Sequence, residues 1–166
     1  MQIVLRSWQK KDRLLLAELA NNIKIWNNVR DRLPHPYKVQ HAAAFIKYCR
    51  KQEPPHILAI EAEGQLAGCI GLELQDDISR ISAELGYWIG EPYWGKNIAS
   101  EAVHHMLEYT FKTFPELIRI YARVFEYNKP SMRVLEKNGF HLEAVQQQSA
   151  IKNGRITDEY VWVKFR

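Results

Sequence analysis

The 166 residues suit one domain, 1–166, with a sizeable core, and 46% apolar with 25% charged residues is an ordinary globular balance. A net charge of +4 favours anionic ligands slightly without implying nucleic acid, and no run approaches the roughly 18 apolar residues of a membrane span. Cys49 and Cys69 lack CxxC or histidine-paired spacing and read as buried thiols in a reducing compartment. The start MQIVLRSWQKKDR has no secretory pattern, so the cytoplasm is the expected location.

In chain order, Ile3 to Arg6 reads as a strand and Lys10 to Asn21 as a helix. Asn22 to Tyr37 is irregular and aromatic. Val39 to Lys51 is helical, and His56 to Glu61 and Gln65 to Leu74 are strands joined by the turn residues Glu63-Gly64. From Ile81 to Ile89 apolar and polar residues alternate, the mark of a strand with two unlike faces. Gly90, Pro92 and Gly95 end it. Ala99, Ala102, Val103, Met106 and Leu107 then fall at helical spacing within Ile98 to Phe114. Pro115 breaks the chain before a strand, Ile118 to Phe125, and a helix, Asn128 to Asn138, with Asn128 as N-cap and Gly139 as its stop. Leu142 to Ile151 and Arg155 to Lys164 flank Asn153-Gly154, the strongest short hairpin signal in the chain.

The turn from Ile89 into the helix at Ile98 aims free amides and a positive dipole end beyond the strand's edge, an arrangement that attracts phosphate. Neither standard phosphate motif fits. The Walker pattern lacks its final Ser/Thr after Lys96, and the dinucleotide pattern lacks its second and third glycines. What stands there is Trp94-Gly95-Lys96-Asn97-Ile98-Ala99-Ser100-Glu101-Ala102.

With Gly86-Tyr87-Trp88 before it, this stretch resembles the acetyl-coenzyme A site of the GNAT acetyltransferases, in particular the ribosomal-protein N-acetyltransferase (Rim-type) branch. Gly95-Lys96, Ala99 and Glu101-Ala102 match, whereas the family's central loop glycine is Asn97, the non-glycine residue that best tolerates positive φ. A second motif of that family, Asn-x-x-Ser before a short helix and Gly-Phe, is matched by Asn128 to Ser131 and Gly139-Phe140.

The resemblance implies an α+β GNAT fold: a mixed, mostly antiparallel twisted sheet of about seven strands with one parallel, splayed pair, flanked by about four helices. It implies transfer of acetyl from acetyl-coenzyme A to a primary amine, on a small molecule or a protein N-terminus, by a monomer or homodimer. The Asn22–Tyr37 segment would cover the acceptor site. The main chains of Trp88 and Ile89 would pair with the pantetheine arm between the splayed strands. Amides of Gly95, Lys96, Asn97, Ile98, Ala99 and Ser100 would hold the pyrophosphate, with Lys96 adding charge or simply solvated. Ile89 N–H would polarise the thioester carbonyl.

Glu84, on the strand face shared with Trp88, is the candidate base, directly or through water; its alternative is a surface carboxylate paired with Arg80 or a lysine. The tyrosine that many family members use as acid is replaced by Leu135. The resemblance to the Rim-type branch then implies Ser131 as proton donor or water organiser; its alternative is a hydroxyl in the first helical turn bonding backbone. Asn128 would contact the pantetheine, serve as N-cap, or both. His104 and His105 point about 100° apart and the other histidines lack partners, so no metal is expected. An idle coenzyme A binder is the alternative function.

Overall fold

A computed structural model describes residues 1–166. Its strands are β1 (Ile3–Arg6), β2 (Ile57–Ala62), β3 (Gln65–Leu74), β4 (Ser82–Ile89), β5 (Arg119–Phe125), β6 (His141–Lys152) and β7 (Arg155–Phe165). They form one sheet in the order β1-β2-β3-β4-β5-β7-β6. Every pairing is antiparallel except β4 with β5.

Five helices flank it, against the four expected: α1 (Arg13–Ala20), α2 (Ile23–Trp26), α3 (Val39–Cys49), α4 (Ile98–Thr113) and α5 (Lys129–Lys137). The addition is α2, a single turn started by Asn22, whose side chain accepts from Lys24 N at 2.9 Å. One turn is too short to leave a periodic signal. The first helix begins three residues later than the pattern predicts. Residues Lys10 to Asp12 form a 3-10 turn instead, and Asp12 there binds the Gln9 amide and Arg6.

Apolar residues cover both faces of the sheet. On one, Ile70, Leu85, Met106, Ile120 and Leu135 join β3, β4 and β5 to α4 and α5. On the other, Leu16, Ala20, Tyr37, Ile46 and Cys69 seat α1 and α3. Each fully buried leucine, isoleucine or methionine among them contributes about 1.5–3 kcal/mol. The strands touch closely: a Cβ on Gly68 would lie 2.2 Å from the Trp88 carbonyl oxygen, so only glycine fits where β3 passes β4. Asn138, just after α5, donates to both the carbonyl and the hydroxyl of Ser100 at 3.2 Å, fixing the first turn of α4 to the second motif.

Candidate active site

β4 and β5 separate. Their parallel ladder runs only from Ser82/Arg119 to Glu84/Tyr121, after which the two strands share no pairing. Gln75 N donates to Ser82 O, and Gly90 N to Ala67 O. By the alternation of an antiparallel ladder, the even-numbered residues of β4 therefore bond to β3, while Leu85, Tyr87 and Ile89 turn their peptide groups into the gap. The Ile89 carbonyl already accepts from the Trp94 indole at 2.6 Å, which leaves its N–H facing the opening. Trp88 departs from expectation. Its main chain is committed to Cys69 on β3, and its side chain packs on the α1–α3 core.

Beyond Ile89 the chain makes one 3-10 turn and enters the loop before α4. Gly95 has φ +73° and Asn97 φ +62°, so the Asn takes the left-handed conformation that the sequence requires of it. The consequence lies in the hydrogen bonds. Trp94 N bonds to Glu91 O and Glu101 N to Asn97 O, but the six amides from Gly95 to Ser100 have no protein acceptor. Two left-handed residues just ahead of a 16-residue helix thus gather amides of Gly95, Lys96, Asn97, Ile98, Ala99 and Ser100 at its positive end. The Lys96 ammonium lies 5.6 Å from the Tyr93 ring centre and is exposed.

On the α5 side of the gap, the Asn128 side-chain oxygen Oδ1 caps the helix by accepting from Ser131 N at 3.4 Å, and its side-chain NH2 is left over. The N-cap role is therefore present. The Ser131 hydroxyl is 2.8 Å from the Tyr87 hydroxyl, which also lies 3.2 Å from Ser131 O. Burial pushes the Tyr87 phenol well above its ordinary value despite that bond, so it stays protonated as a donor. Leu135 is wholly buried in the core, one turn farther along α5. The sequence reading gave Tyr87 no role of its own, because its partner is 44 residues away.

The gap opens into a cleft of about 920 Å³ that reaches from Ser131 to Tyr37, Phe45 and Tyr48 under the Asn22–Tyr37 segment. Its polar wall consists of side chains. Glu84 is buried, and Arg123 binds it with two nitrogens, Nε to Oε1 at 3.0 Å and a terminal nitrogen to Oε2 at 2.8 Å. Arg30 reaches down from the covering segment to Glu84 at 3.1 Å and to Glu159 at 3.5 Å. Burial alone would raise the Glu84 carboxyl, but the hydrogen bonds and charges of the two arginines outweigh it and hold the group below its ordinary value. The expected partners, Arg80 or a lysine, are not the ones it has. An ionised carboxylate held this way is a weak direct base.

Other polar ties secure the cover. Asp31 bonds Lys152 at 2.7 Å, Arg32 bonds Glu73 at 2.6 Å, and Lys24 and Asn22 both reach Glu91. Glu159 escaped the sequence reading, although a signal existed: it shares a strand face with buried Thr157 and Val161. No three His, Cys, Asp or Glu side chains are grouped to hold a metal, and no helix is long and apolar enough to cross a membrane.

Residues 2–141 match the family model described as an acetyltransferase (GNAT) domain. The chain is 31% identical over 105 residues to the uncharacterized N-acetyltransferase p20 of Bacillus licheniformis, covering 63% of this chain and 58% of that protein. It is 28% identical over 102 residues to the ribosomal-protein-serine acetyltransferase of Escherichia coli (strain K12), covering 61% and 56%. The chain thus spans little more than half the length of these curated relatives. Among solved structures, RimL in complex with coenzyme A superposes with a TM-score of 0.88 over 99% of this chain and 94% of that one, at 18% identity, a likeness of fold. With its seven-stranded sheet, one parallel pair opening into a cleft, and this match over most of its length, the chain belongs to the GNAT acetyltransferase family.

Proposed function

We propose that the protein transfers the acetyl group of acetyl-coenzyme A to a primary amine by direct attack, with both substrates bound together. One observation carries this reading: six consecutive amides without a protein acceptor stand at the end of a strand whose parallel neighbour has turned away. Free amides at a helix start suit a diphosphate, and an unpaired strand edge suits an amide-bearing chain such as pantetheine.

In this reading the Gly95–Ser100 amides hold the pyrophosphate, with Lys96 beside them. The Ile89 N–H polarises the thioester carbonyl. The leftover Asn128 amide binds the pantetheine, and Trp88 contributes its neighbourhood rather than its peptide group. Ser131, backed by Tyr87, returns a proton to the departing thiolate. Glu84 acts through a water, as a carboxylate fixed by Arg123. The acceptor is a protein N-terminal or small-molecule amine, the setting is the cytoplasm, and the working form is a monomer or homodimer. The names of the relatives support an acetyl transfer, and only that of the Escherichia coli protein among the two specifies an acceptor, a ribosomal protein.

The competing reading, an idle coenzyme A binder, draws on two observations: the paired state of Glu84 and the burial of Leu135, where other family members are expected to carry an acid. Thiol release from acetyl-coenzyme A, measured with a panel of amines and amino-terminal peptides, separates the two. Acceptor-dependent release is expected. Tight coenzyme A binding with no release for any amine would establish the idle binder.

A further inference from the structure

The cleft-facing side of the sheet carries an unbalanced charge. Glu73 on β3, Glu84 on β4, Arg123 on β5 and Glu159 on β7 lie on four adjacent strands, three carboxylates against one guanidinium, and the half-exposed Glu73 is matched by Arg32. Arg123 is spent on Glu84, which it grips with both ends of its fork. Glu159 is 4% exposed, and its sheet-borne partner is the neutral Ser149 hydroxyl at 3.1 Å. A carboxylate so enclosed needs a cation, because its lost hydration is not recovered otherwise. Arg30 supplies one at 3.5 Å, from a stretch between α2 and α3 that has no helix or strand, and with a side chain 38% exposed.

Position distinguishes Glu84 from Glu159 further. Glu84 is level with Tyr121, inside the stretch where β4 and β5 are still joined. Glu159 is level with Phe125, four residues along toward the open end, where Phe125 O accepts from Asn128 N just ahead of Ser131. The carboxylate farther along toward the open end is therefore the one whose ion pair rests on a loop residue alone.

We propose that Glu159 receives the ammonium group of the acceptor at the place the Arg30 guanidinium now fills, and that Arg30 swings out as the amine enters. This deepens the transferase reading and rests on it for the direction in which the amine approaches. The ligand class follows from the exchange: one compact cation replaces another, and the aromatic wall of Tyr37, Phe45 and Tyr48 takes an apolar stem. Arg30 serves as a built-in competitor that keeps the buried acid paired while no amine is present. Glu159 is then an amine-binding residue that sequence reading had passed over.

Calorimetric titration of the full chain, saturated with coenzyme A, with n-butylamine and with n-butanol as neutral control tests this. The amine is expected to bind in preference to the alcohol. Glu159→Gln should weaken butylamine about tenfold or more, the loss expected of a charge-assisted hydrogen bond. Arg30→Ala should tighten it, because the competing cation is gone. Butylamine binding unchanged in Glu159→Gln, or weakened in Arg30→Ala, would overturn the proposal. Should Glu159→Gln not fold, Glu159→Asp retains the charge one methylene farther back and should bind butylamine less tightly than the original; equal affinity would overturn the proposal as well. Coenzyme A binding is measured in the same samples. Its presence without preference for the amine removes the ammonium site alone, whereas its absence from the unaltered chain removes the transferase reading.

Discussion

The loop before α4 and the cleft under the covering segment, the two halves of the candidate site, are built from different material. In and beside that loop, the groups left without a protein acceptor are peptide N–H: Ile89 and the run from Gly95 to Ser100. Under the covering segment the polar groups are side chains, Glu84, Arg123, Arg30 and Glu159, drawn from β4, β5, a loop and β7. The first half depends on backbone conformation and is nearly indifferent to which side chains carry it. The second depends on residue identity and on charge that must balance away from water. Substitutions should therefore act on one half while sparing the other.

The largest expected effect is on the side-chain half. Arg123→Leu strips Glu84 of its two-point partner and leaves it with Arg30 alone. Breaking a buried pair from one side costs about 3–5 kcal/mol, and since Arg123 is a third exposed the lower end applies. Urea denaturation should show a loss of about 3 kcal/mol, with coenzyme A affinity unchanged. An equal loss of coenzyme A affinity would show that the halves are one unit.

Acid titration sharpens the same point. The folded Glu84 carboxyl lies below its unfolded value, so its stabilisation is fully present above about pH 4.3 and is lost as pH falls through the folded value. Glu84→Gln removes that dependence. Its stability should decline less between neutral pH and about pH 3 than that of the unaltered chain, a difference read from urea midpoints at each pH. Parallel curves would mean that the pair with Arg123 contributes nothing to stability.

The contrast between the halves also explains what the chain's letters revealed. Gly95 and Asn97 announce themselves because positive φ is a local demand that few residues meet, and the structure puts both there. The strands were legible for the same reason, with β1 and β3 matching their expected bounds residue for residue. The length of the β4–β5 ladder was not, since nothing in either strand states where its neighbour departs. The acid–arginine row joins positions 54 to 129 residues from Arg30, and the Tyr87–Ser131 bond spans 44. Such pairings exist only once the sheet order is fixed.

On the main-chain half, Gly95→Val tests conformation alone. A Cβ at Gly95 would meet nothing within 4 Å, so the penalty is the left-handed backbone, about 1–2 kcal/mol for an L-residue. The chain should fold with that loss, while coenzyme A affinity falls about tenfold or more as the loop relaxes and its amides turn away. Amine binding under the cover should be untouched. Unaltered coenzyme A affinity would show that the amides are not the grip.

Asn97→Gly is the smallest change and the most discriminating. Glycine relieves the left-handed strain at φ +62° but gives the unfolded chain more freedom, and the two effects oppose each other. The lost contact is exposed, Asn97 Nδ2 to Glu101 at 3.2 Å, and such contacts contribute little. Stability should therefore stay within about 0.5 kcal/mol, and coenzyme A affinity should hold or rise slightly. The informative deviation is a marked loss of affinity at unchanged stability. The backbone would be as able as before to present its amides, so the missing amide side chain must itself touch the ligand, and the loop would no longer be a purely main-chain device.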